Sequence, residues 1–285
     1  MDSDFKVDFI GIGAPRCGTT WLYKCLSEHP DICMSKPKEL NYFATDSVFT
    51  LSKKLTDHWY ESRFNHCKLF HLKGEISPSY LRNETAAISI RKYFPACKII
   101  VQLRHPTEAL YSLFRYFANE PTFERFIENY PELVDQYLYT KHLQRFLTCF
   151  GKKNVHCIFF DDIVASPIQV LHSLFDFLGV AQMQPKFVHV KVNAKSKFAL
   201  CGYGKIFFGL RKRLAPHSWI VRTFPTQLLF IHSLIEKILE RLPRRNSITN
   251  IPMQQKTRMQ LIEFFRSSND ELAQLLGKDL TSWNR

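Results

Sequence analysis

Residues 7–22 read VDFIGIGAPRCGTTWL, and this stretch decides the fold of the chain. The apolar run at residues 7–13 predicts a buried strand, and the residues from Thr19 onward predict a helix. A tight loop with Gly13 and Gly18 joins the strand to the helix. Such a layout is typical of an anion cradle, because the free backbone N–H groups and the dipole of a helix N-terminus both favour negative charge.

The loop is similar to a nucleotide-binding P-loop, with one change. A P-loop ends in Gly-Lys-Ser/Thr, whereas here Gly18 is followed by Thr19 and Thr20, and the cation comes earlier, at Arg16. The P-loop lysine reaches the terminal phosphates, so its absence disfavours ATP hydrolysis. Arg16 is still able to clamp a 5′-phosphate. The dinucleotide-binding fingerprint fails, because its third glycine would have to stand at Arg16.

Residues 15–21, PRCGTTW, closely resemble the 5′-phosphosulfate loop of the sulfotransferases that use 3′-phosphoadenosine 5′-phosphosulfate (PAPS). Arg16 stands where many members carry a catalytic lysine, and Cys17 replaces the common Ser or Thr. The resemblance implies an α/β, P-loop-like, three-layer fold with a central, mostly parallel sheet flanked by helices. It also implies PAPS as the donor, Arg16 as a catalytic residue, and cofactor contacts from Arg16, Cys17, Gly18, Thr19, Thr20 and Trp21.

A second landmark follows the strand predicted at residues 96–103. Arg104 comes directly after it, and Ser112 follows eight residues later. This spacing resembles the family segment Leu-Arg-Asp-Pro-x-Glu-Arg-x-x-Ser, whose Arg and Ser bind the 3′-phosphate of the cofactor. The planar fork of donors on an arginine suits phosphate oxygens. His105 replaces the usual Asp, a departure that leaves the two phosphate ligands in place.

The catalytic base is expected in residues 74–80, GEISPSY. The segment resembles Glu-Lys-Ser/Thr-Pro-x-Tyr of the heparan-type enzymes, in which the glutamate is the proposed base, so the resemblance points to Glu75. A base that takes the acceptor's proton adds about 10²–10⁴-fold to the rate. Ile76 stands where the family has a lysine. His71 and His105 are the alternative bases, although His71 lies in an apolar run and is expected to be a core residue.

The resemblance extends to residues 36–43, 155–163, 174–179 and 272–283, so it covers nearly the whole chain, and we expect one domain over residues 1–285. It is nearest to the soluble bacterial-type and heparan-sulfate-like branch. In this family a loop near residue 193 often closes over the cofactor, which makes Asn193, Lys195 and Lys197 candidate ligands; a solvated charged loop is the alternative. Residues 206–242 predict a core-facing helix preceded by a lid, with a membrane-surface patch as another interpretation.

The remaining pattern alternates strands and helices. Helices are predicted over residues 19–28, 84–93 and 167–178, with two or three more between 108 and 150, and strands over residues 69–75, 96–103 and 155–160. Alternation predicts a mostly parallel sheet, in which ligands bind beyond the carboxyl ends of the strands. Both phosphate segments and Glu75 fall at such ends.

The chain has 285 residues and a formal net charge of +13. This charge suits a polyanionic cofactor or an acidic acceptor, and it would also suit nucleic acid, although no nucleic-acid partner is expected. Two rival functions remain open. One is a kinase-like P-loop enzyme acting on ATP, and the other is a non-enzymatic protein that binds polyanions.

The cysteines and the N-terminus favour a cytoplasmic protein. The eight cysteines include no Cys-x-x-Cys pair, so we expect neither a metal site nor a disulfide framework, but mostly reduced, buried thiols. The first six residues lack the features of a signal peptide, and no run approaches the ~18 apolar residues of a membrane span. We therefore expect a complete, soluble chain without an anchor.

The acceptor is predicted only by class. We expect a small molecule, such as a natural product or toxin scaffold that is sulfated on oxygen or nitrogen, with a carbohydrate as the second choice. Aromatic residues make up 14% of the chain, and some of them could line a pocket. The candidate acceptor-binding residues are Lys38, Asn41, Tyr42, Phe43, Tyr80, Tyr116 and Tyr139.

Overall fold

The computed structural model describes residues 4–44, 55–67, 70–117, 120–190 and 252–285. A five-stranded sheet lies at its centre, and every described strand pair is parallel. The strands are β1 (Phe9–Gly13), β2 (Ile32–Met34), β3 (Leu72–Ile76), β4 (Lys98–Leu103) and β5 (Val155–Phe159). The predicted α/β class and parallel sheet are confirmed.

Helices connect these strands. The α-helices are α1 (Thr19–Leu26), α2 (Asp57–Ser62), α3 (Ala86–Tyr93), α4 (Pro106–Phe117), α5 (Phe123–Asn129), α6 (Pro131–Asp135), α7 (Tyr139–Phe150), α8 (Phe160–Ala165), α9 (Pro167–Leu178) and α10 (Gln255–Leu276). Short 3₁₀ helices cover Lys152–Asn154, Lys186–His189 and Thr281–Asn284. None of these described helices is both long and apolar enough to cross a lipid bilayer.

The sheet lies between two layers of helices. Helices α1 and α9 pack on one face, in a core that includes Phe9 and Trp21. Helices α3, α7 and α10 belong to the other layer, whose core includes Ile10 and Phe146. All five residues of β1 are buried, because a central strand of a parallel sheet is covered on both faces. This explains why its sequence is a continuous apolar run.

The order β2-β3-β1-β4-β5 fixes where a ligand binds. Strand β1 pairs with β3 on one side, through Ile10 and Glu75, and with β4 on the other, through Ile10 and Ile99. The chain therefore leaves β1 toward β2 and β3 and then crosses to β4. Such a reversal leaves a crevice at the carboxyl ends of the strands, where ligands of open α/β sheets bind. The segments after β1, β3 and β4 border this edge.

One close approach holds β1 against β3. Phe9 and Gly74 are register partners, and Phe9 is fully buried. A Cβ atom placed on Gly74 would lie 2.0 Å from Cζ of the Phe9 ring, which is far inside van der Waals contact. The position directly before Glu75 therefore has to be glycine while Phe9 is present.

Several predicted elements differ from the observed ones. Strand β3 begins at Leu72, and His71 before it is exposed, so the expectation of a core histidine was wrong. The chain between residues 108 and 150 belongs to four described helices, α4 to α7, where two or three were expected. Strand β2 and helix α8 were not predicted, since elements of three and six residues are too short to show a period. The predictions for residues 191–251 lie outside the described residues.

The state of the cysteines also differs from the prediction at one pair. Cys33 of β2 and Cys67, which follows α2, form a disulfide across 34 residues of chain, so the expectation of no disulfide was wrong for this pair. Cys17, Cys25 and Cys97 are free and buried, as expected, whereas Cys149 and Cys157 are free and half-buried. The donor atoms of Cys33, His66 and Cys67 lie within 4.8 Å of one another, but the two sulfurs are bonded to each other here.

Opening this disulfide is expected to destabilise the protein. A cross-link over 34 residues removes loop entropy from the unfolded chain worth about 3–4 kcal/mol in the chain-entropy model. We expect a Cys33→Ser/Cys67→Ser double variant to lose about this much free energy of unfolding, measured by urea denaturation. Cys149→Ser, at a half-buried free thiol, is the control. Equal midpoints for the double variant and the oxidised parent would contradict the cross-link.

Candidate active site

The loop after β1 ends at a helix N-terminus that carries no side-chain cap. Gly18 is the N-cap residue of α1 with φ 91°, and no acidic residue lies in the first turn. Positive φ favours glycine, and a Cβ at this position would also press on Nε2 of Gln102 at 3.3 Å. Thr19 is buried and Thr20 is exposed. The first N–H groups of α1 therefore have no side-chain cap, and anion binding at this end of the helix stays a prediction.

Two residues that the sequence analysis missed hold this loop in place. Gln102 of β4 donates from Nε2 to the carbonyl of Cys17 at 3.3 Å, and its own carbonyl accepts the N–H of Ala14 at 2.7 Å. The hydroxyl of Tyr137, between α6 and α7, donates to the carbonyl of Pro15 at 3.3 Å. A buried glutamine inside an apolar strand was the available signal for the first. Tyr137 had no local signal.

Arg16 lies at the centre of the loop and points toward α4. Its Nε donates to Oγ of Ser112 at 3.2 Å, and its guanidinium lies 4.7 Å from the centroid of the Tyr116 ring. Burial lowers the pKa of Arg16, but a guanidinium stays charged at any physiological pH. The structure therefore brings one predicted 5′-site residue, Arg16, into contact with one predicted 3′-site residue, Ser112.

Arg104 joins the same cluster from the end of β4. It donates from Nη1 to the carbonyl of Arg16 at 3.4 Å, and its guanidinium lies 4.4 Å from the centroid of the Phe160 ring. Within the described parts of the chain, neither Arg16 nor Arg104 forms an ion pair with a carboxylate. Two adjacent cations without a carboxylate, beside an uncapped helix N-terminus, favour a multiply charged anion.

The side chains of Cys17 and Trp21 face the core. Cys17 is fully buried, its sulfur lies 3.6 Å from the hydroxyl of Tyr139, and burial raises the pKa of its thiol to about 12. The indole N–H of Trp21 donates to the carbonyl of Val188 at 3.1 Å. Both residues therefore stay predicted cofactor contacts through their backbone, and their side chains support the loop.

Glu75 ends up inside the protein at the carboxyl end of β3, with no exposed surface. Its Oε1 accepts hydrogen bonds from the hydroxyls of Tyr60 at 2.7 Å and Tyr80 at 3.1 Å, and its Oε2 accepts one from Ser77 at 3.0 Å. Burial raises the pKa of this carboxyl to about 7, although the three hydroxyl donors lower it. A carboxyl with a pKa near neutrality is suited to exchange a proton.

The two histidines named as alternative bases lie in different surroundings. His71 precedes β3, at the edge of the sheet opposite to the loops. His105 is half-buried, its ring lies 6.3 Å from that of Trp283, and both of its nitrogens lack a hydrogen-bond partner among the described residues. Burial lowers the pKa of His105, which favours its neutral imidazole.

The candidate acceptor-binding residues separate into two groups. The first group lies around Glu75, where Phe43 and Tyr80 are fully buried. Lys38 forms an ion pair with Glu39, and the side-chain oxygen of Asn41 accepts a hydrogen bond from the hydroxyl of Ser79. The hydroxyl of Tyr42 donates a hydrogen bond to Asp57 at 2.5 Å. Beside the arginines, Tyr116 lies against Arg16, and Tyr139 is buried and donates to the carbonyl of Arg104 at 2.9 Å. The predicted ligands Asn193, Lys195 and Lys197 lie outside the described residues.

Comparisons with known proteins identify the family of the chain. The sulfotransferase domain family matches residues 6–239. Heparan sulfate glucosamine 3-O-sulfotransferase 5 of Mus musculus is 24% identical over 59% of this chain and 52% of its own length. Carbohydrate sulfotransferase 15 of Homo sapiens is 24% identical over 96% of this chain and 54% of its own length. The chain thus spans about half the length of these curated relatives.

Solved structures show the same fold. A sulfotransferase from Alicyclobacillus acidocaldarius superposes with a TM-score of 0.69 at 21% identity, covering 99% of this chain and 100% of that one. The sulfotransferase domain from the curacin biosynthetic pathway superposes with a TM-score of 0.50 at 20% identity, covering 68% of this chain and 83% of that domain. At these identities the similarity shows the fold alone.

Proposed function

The chain belongs to the sulfotransferase domain family, and from that premise we propose that it transfers the sulfuryl group of PAPS to a hydroxyl or amine. The observation that carries the proposal is the convergence of Arg16, Arg104 and Ser112 beside the uncapped N-terminus of α1. A doubly phosphorylated nucleotide is an anion of the kind that such a cluster binds.

The position of each residue suggests its role in holding the donor. The N–H groups at the start of α1, with Thr19 and Thr20, would hold the 5′-phosphate, while Arg104 and Ser112 would hold the 3′-phosphate. PAPS itself would supply an activated sulfuryl group. Arg16 would stabilise the negative charge that develops as the sulfur–oxygen bond to phosphate breaks, which is the kind of electrostatic assistance that contributes most in such sites.

The acceptor would be deprotonated by Glu75 as its oxygen or nitrogen attacks sulfur in line with the departing phosphate. Positioning and charge stabilisation would lower most of the barrier. A pKa raised to about 7 suits Glu75 to exchange a proton near neutral pH. The half-buried His105 and the exposed His71 are weaker candidates for the base, because neither lies in a hydrogen-bonded cluster at the carboxyl ends of β1 and β3.

For the acceptor, we propose a small molecule carrying a hydroxyl or amine, of the natural-product type. A saccharide hydroxyl is the second candidate, since the relatives named above act on heparan sulfate glucosamine or carbohydrate by their names. A screen of alcohols, amines and sugars with PAPS, with release of the product 3′-phosphoadenosine 5′-phosphate (PAP) as readout, separates the two.

Calorimetry with PAP tests the nucleotide site. We expect saturable binding by the parent, and a loss of about 10–10²-fold in affinity for Arg104→Ala, because charge-assisted hydrogen bonds to a phosphate contribute roughly 1.5–3 kcal/mol. Arg115→Ala removes the same charge from an exposed position on α4 and is the matched control. No heat of binding at millimolar PAP would overturn the proposal. Magnesium-dependent binding of ATP that is tighter than the binding of PAP would favour the kinase-like alternative. Salt-sensitive binding of heparin without a saturable PAP site would favour a non-enzymatic protein that binds polyanions.

A further inference from the structure

Tyr60 is a partner of Glu75 that no local sequence pattern indicated. It lies on α2, between β2 and β3 in the chain, and it is fully buried among aromatic rings. Its hydroxyl is 2.7 Å from Oε1 of Glu75, the shortest of the three hydrogen bonds to this carboxyl. Helix α2 thus brings a hydrogen-bond donor to the carboxyl from a separate segment of the chain.

The two oxygens of Glu75 are not equivalent. Oε1 accepts from Tyr60 and Tyr80, which uses both of its lone-pair directions. Among the described residues, Oε2 accepts only from Ser77, whose oxygen in turn accepts the backbone N–H of Asn41 at 3.1 Å. Oε2 therefore keeps an open lone pair, and it is the oxygen that is able to take a proton.

We propose that Tyr60 is a positioning residue for the reaction: it holds Oε1 of Glu75, so that the proton of the acceptor is taken up at Oε2. The inference rests on the proposed role of Glu75 as the base. In the step, the acceptor's O–H or N–H bond would break, the proton would move to Oε2, and the electron pair left on the acceptor would form the bond to sulfur. The sulfur–oxygen bond to the 5′-phosphate would break at the same time, and its electron pair would leave with PAP. The hydrogen bond from Tyr60 remains on Oε1 throughout.

The same contact adjusts how easily Glu75 ionises. A hydrogen bond donated to a carboxylate stabilises its charged form, so the Tyr60 hydroxyl lowers the pKa of Glu75 against the effect of burial. The titratable groups that face this carboxyl are Tyr60 from α2, Tyr80 from the turn after β3, and Cys97 from the residue before β4. Burial and the charge of Glu75 raise the pKa of all three, so they stay protonated while Glu75 titrates.

Tyr60→Phe tests the inference, because it removes only the hydroxyl. We expect the pKa of Glu75, followed by ¹³C NMR of glutamate carboxyls and assigned with Glu75→Gln, to rise by roughly one unit, as expected for losing a hydrogen bond to a charged group. The acid limb of the pH profile for PAP release, with the best acceptor of the panel, should move upward by the same amount. Tyr93→Phe, in the same aromatic cluster, is the control and should leave the pKa unchanged.

A second substitution guards against a folding defect. Incorporation of 3-fluorotyrosine at position 60 keeps the shape and makes the phenol a stronger donor, so the pKa of Glu75 should fall. A pKa that neither variant moves would overturn the role of Tyr60, as would a pKa that moves while the kinetic limb stays fixed. If Glu75→Gln retains turnover, the base assignment fails, and the role of Tyr60 in catalysis fails with it. An inactive Glu75→Gln with an unmoved Tyr60→Phe limb overturns the inference on Tyr60 alone.

Discussion

Arg16→Ala is expected to lower kcat by about 10²–10³-fold, because in the proposed reaction it removes the cation beside the breaking sulfur–oxygen bond. A donor aimed at developing charge contributes roughly 3–4 kcal/mol to the transition state. Arg16 is held there by Ser112 at 3.2 Å and by the Tyr116 ring, so neither neighbour replaces its charge. Single-turnover release of PAP from PAPS, with saturating donor and acceptor, measures the effect.

Arg16→Lys is the matched control for this variant. It keeps a positive charge in the loop and should retain most of the rate. Binding of PAP by Arg16→Ala should weaken by less than turnover falls, because PAP keeps the 5′-phosphate that Arg16 is predicted to contact but lacks the sulfuryl group. Equal losses in PAP affinity and in kcat/KM would show that Arg16 binds the nucleotide without assisting the transfer.

Glu75→Gln is expected to lower kcat by about 10²–10⁴-fold, the usual contribution of a general base. Glutamine keeps the size of the side chain but takes up no proton near neutrality. Because burial raises the pKa of Glu75 to about 7, the parent should lose activity as the pH falls through 7 and the carboxylate is protonated. It should reach a plateau above that pH. The remaining activity of the variant should lack this limb.

Asp57→Asn is the control for Glu75→Gln. It neutralises a carboxylate that accepts from Tyr42 in the neighbouring cluster and should leave the acid limb where it is. Rates of PAP release between pH 5.5 and 9 give the acid limb of the parent and of both variants. A Glu75→Gln enzyme with the parent's limb would assign that limb to another group, and the half-buried His105 would be the first to replace next.

The meeting of Arg16, Arg104 and Ser112 was predictable because its signals are local. The loop around Arg16 is one continuous segment, and Arg104 and Ser112 belong to another, so strand, loop and helix are encoded within a few residues of each. That the two segments meet follows from parallel strands, whose carboxyl ends share one edge of the sheet. The contact between Arg16 and Ser112 across 96 residues then needs no further signal.

The surroundings of Glu75 were not predictable in the same way. Tyr60 reaches the carboxyl because it is buried in the same core cluster as Ile10 of β1, and neither its position in the sequence nor its residue type distinguishes it from other aromatic residues. The pairing of Cys33 with Cys67 is equally non-local, since separations in sequence do not fix which cysteines meet. Buried hydroxyl and thiol partners are set by packing, and packing is a property of the whole chain.

The contact between Gly74 and Phe9 has a consequence for the history of the sequence. With a Cβ at position 74 only 2.0 Å from the ring, any descendant that gains a side chain there must first, or at the same time, shrink Phe9. The two positions should therefore change together across a lineage. A reconstructed ancestor with phenylalanine at position 9 and alanine at position 74 would have to pair these two strands differently from this chain.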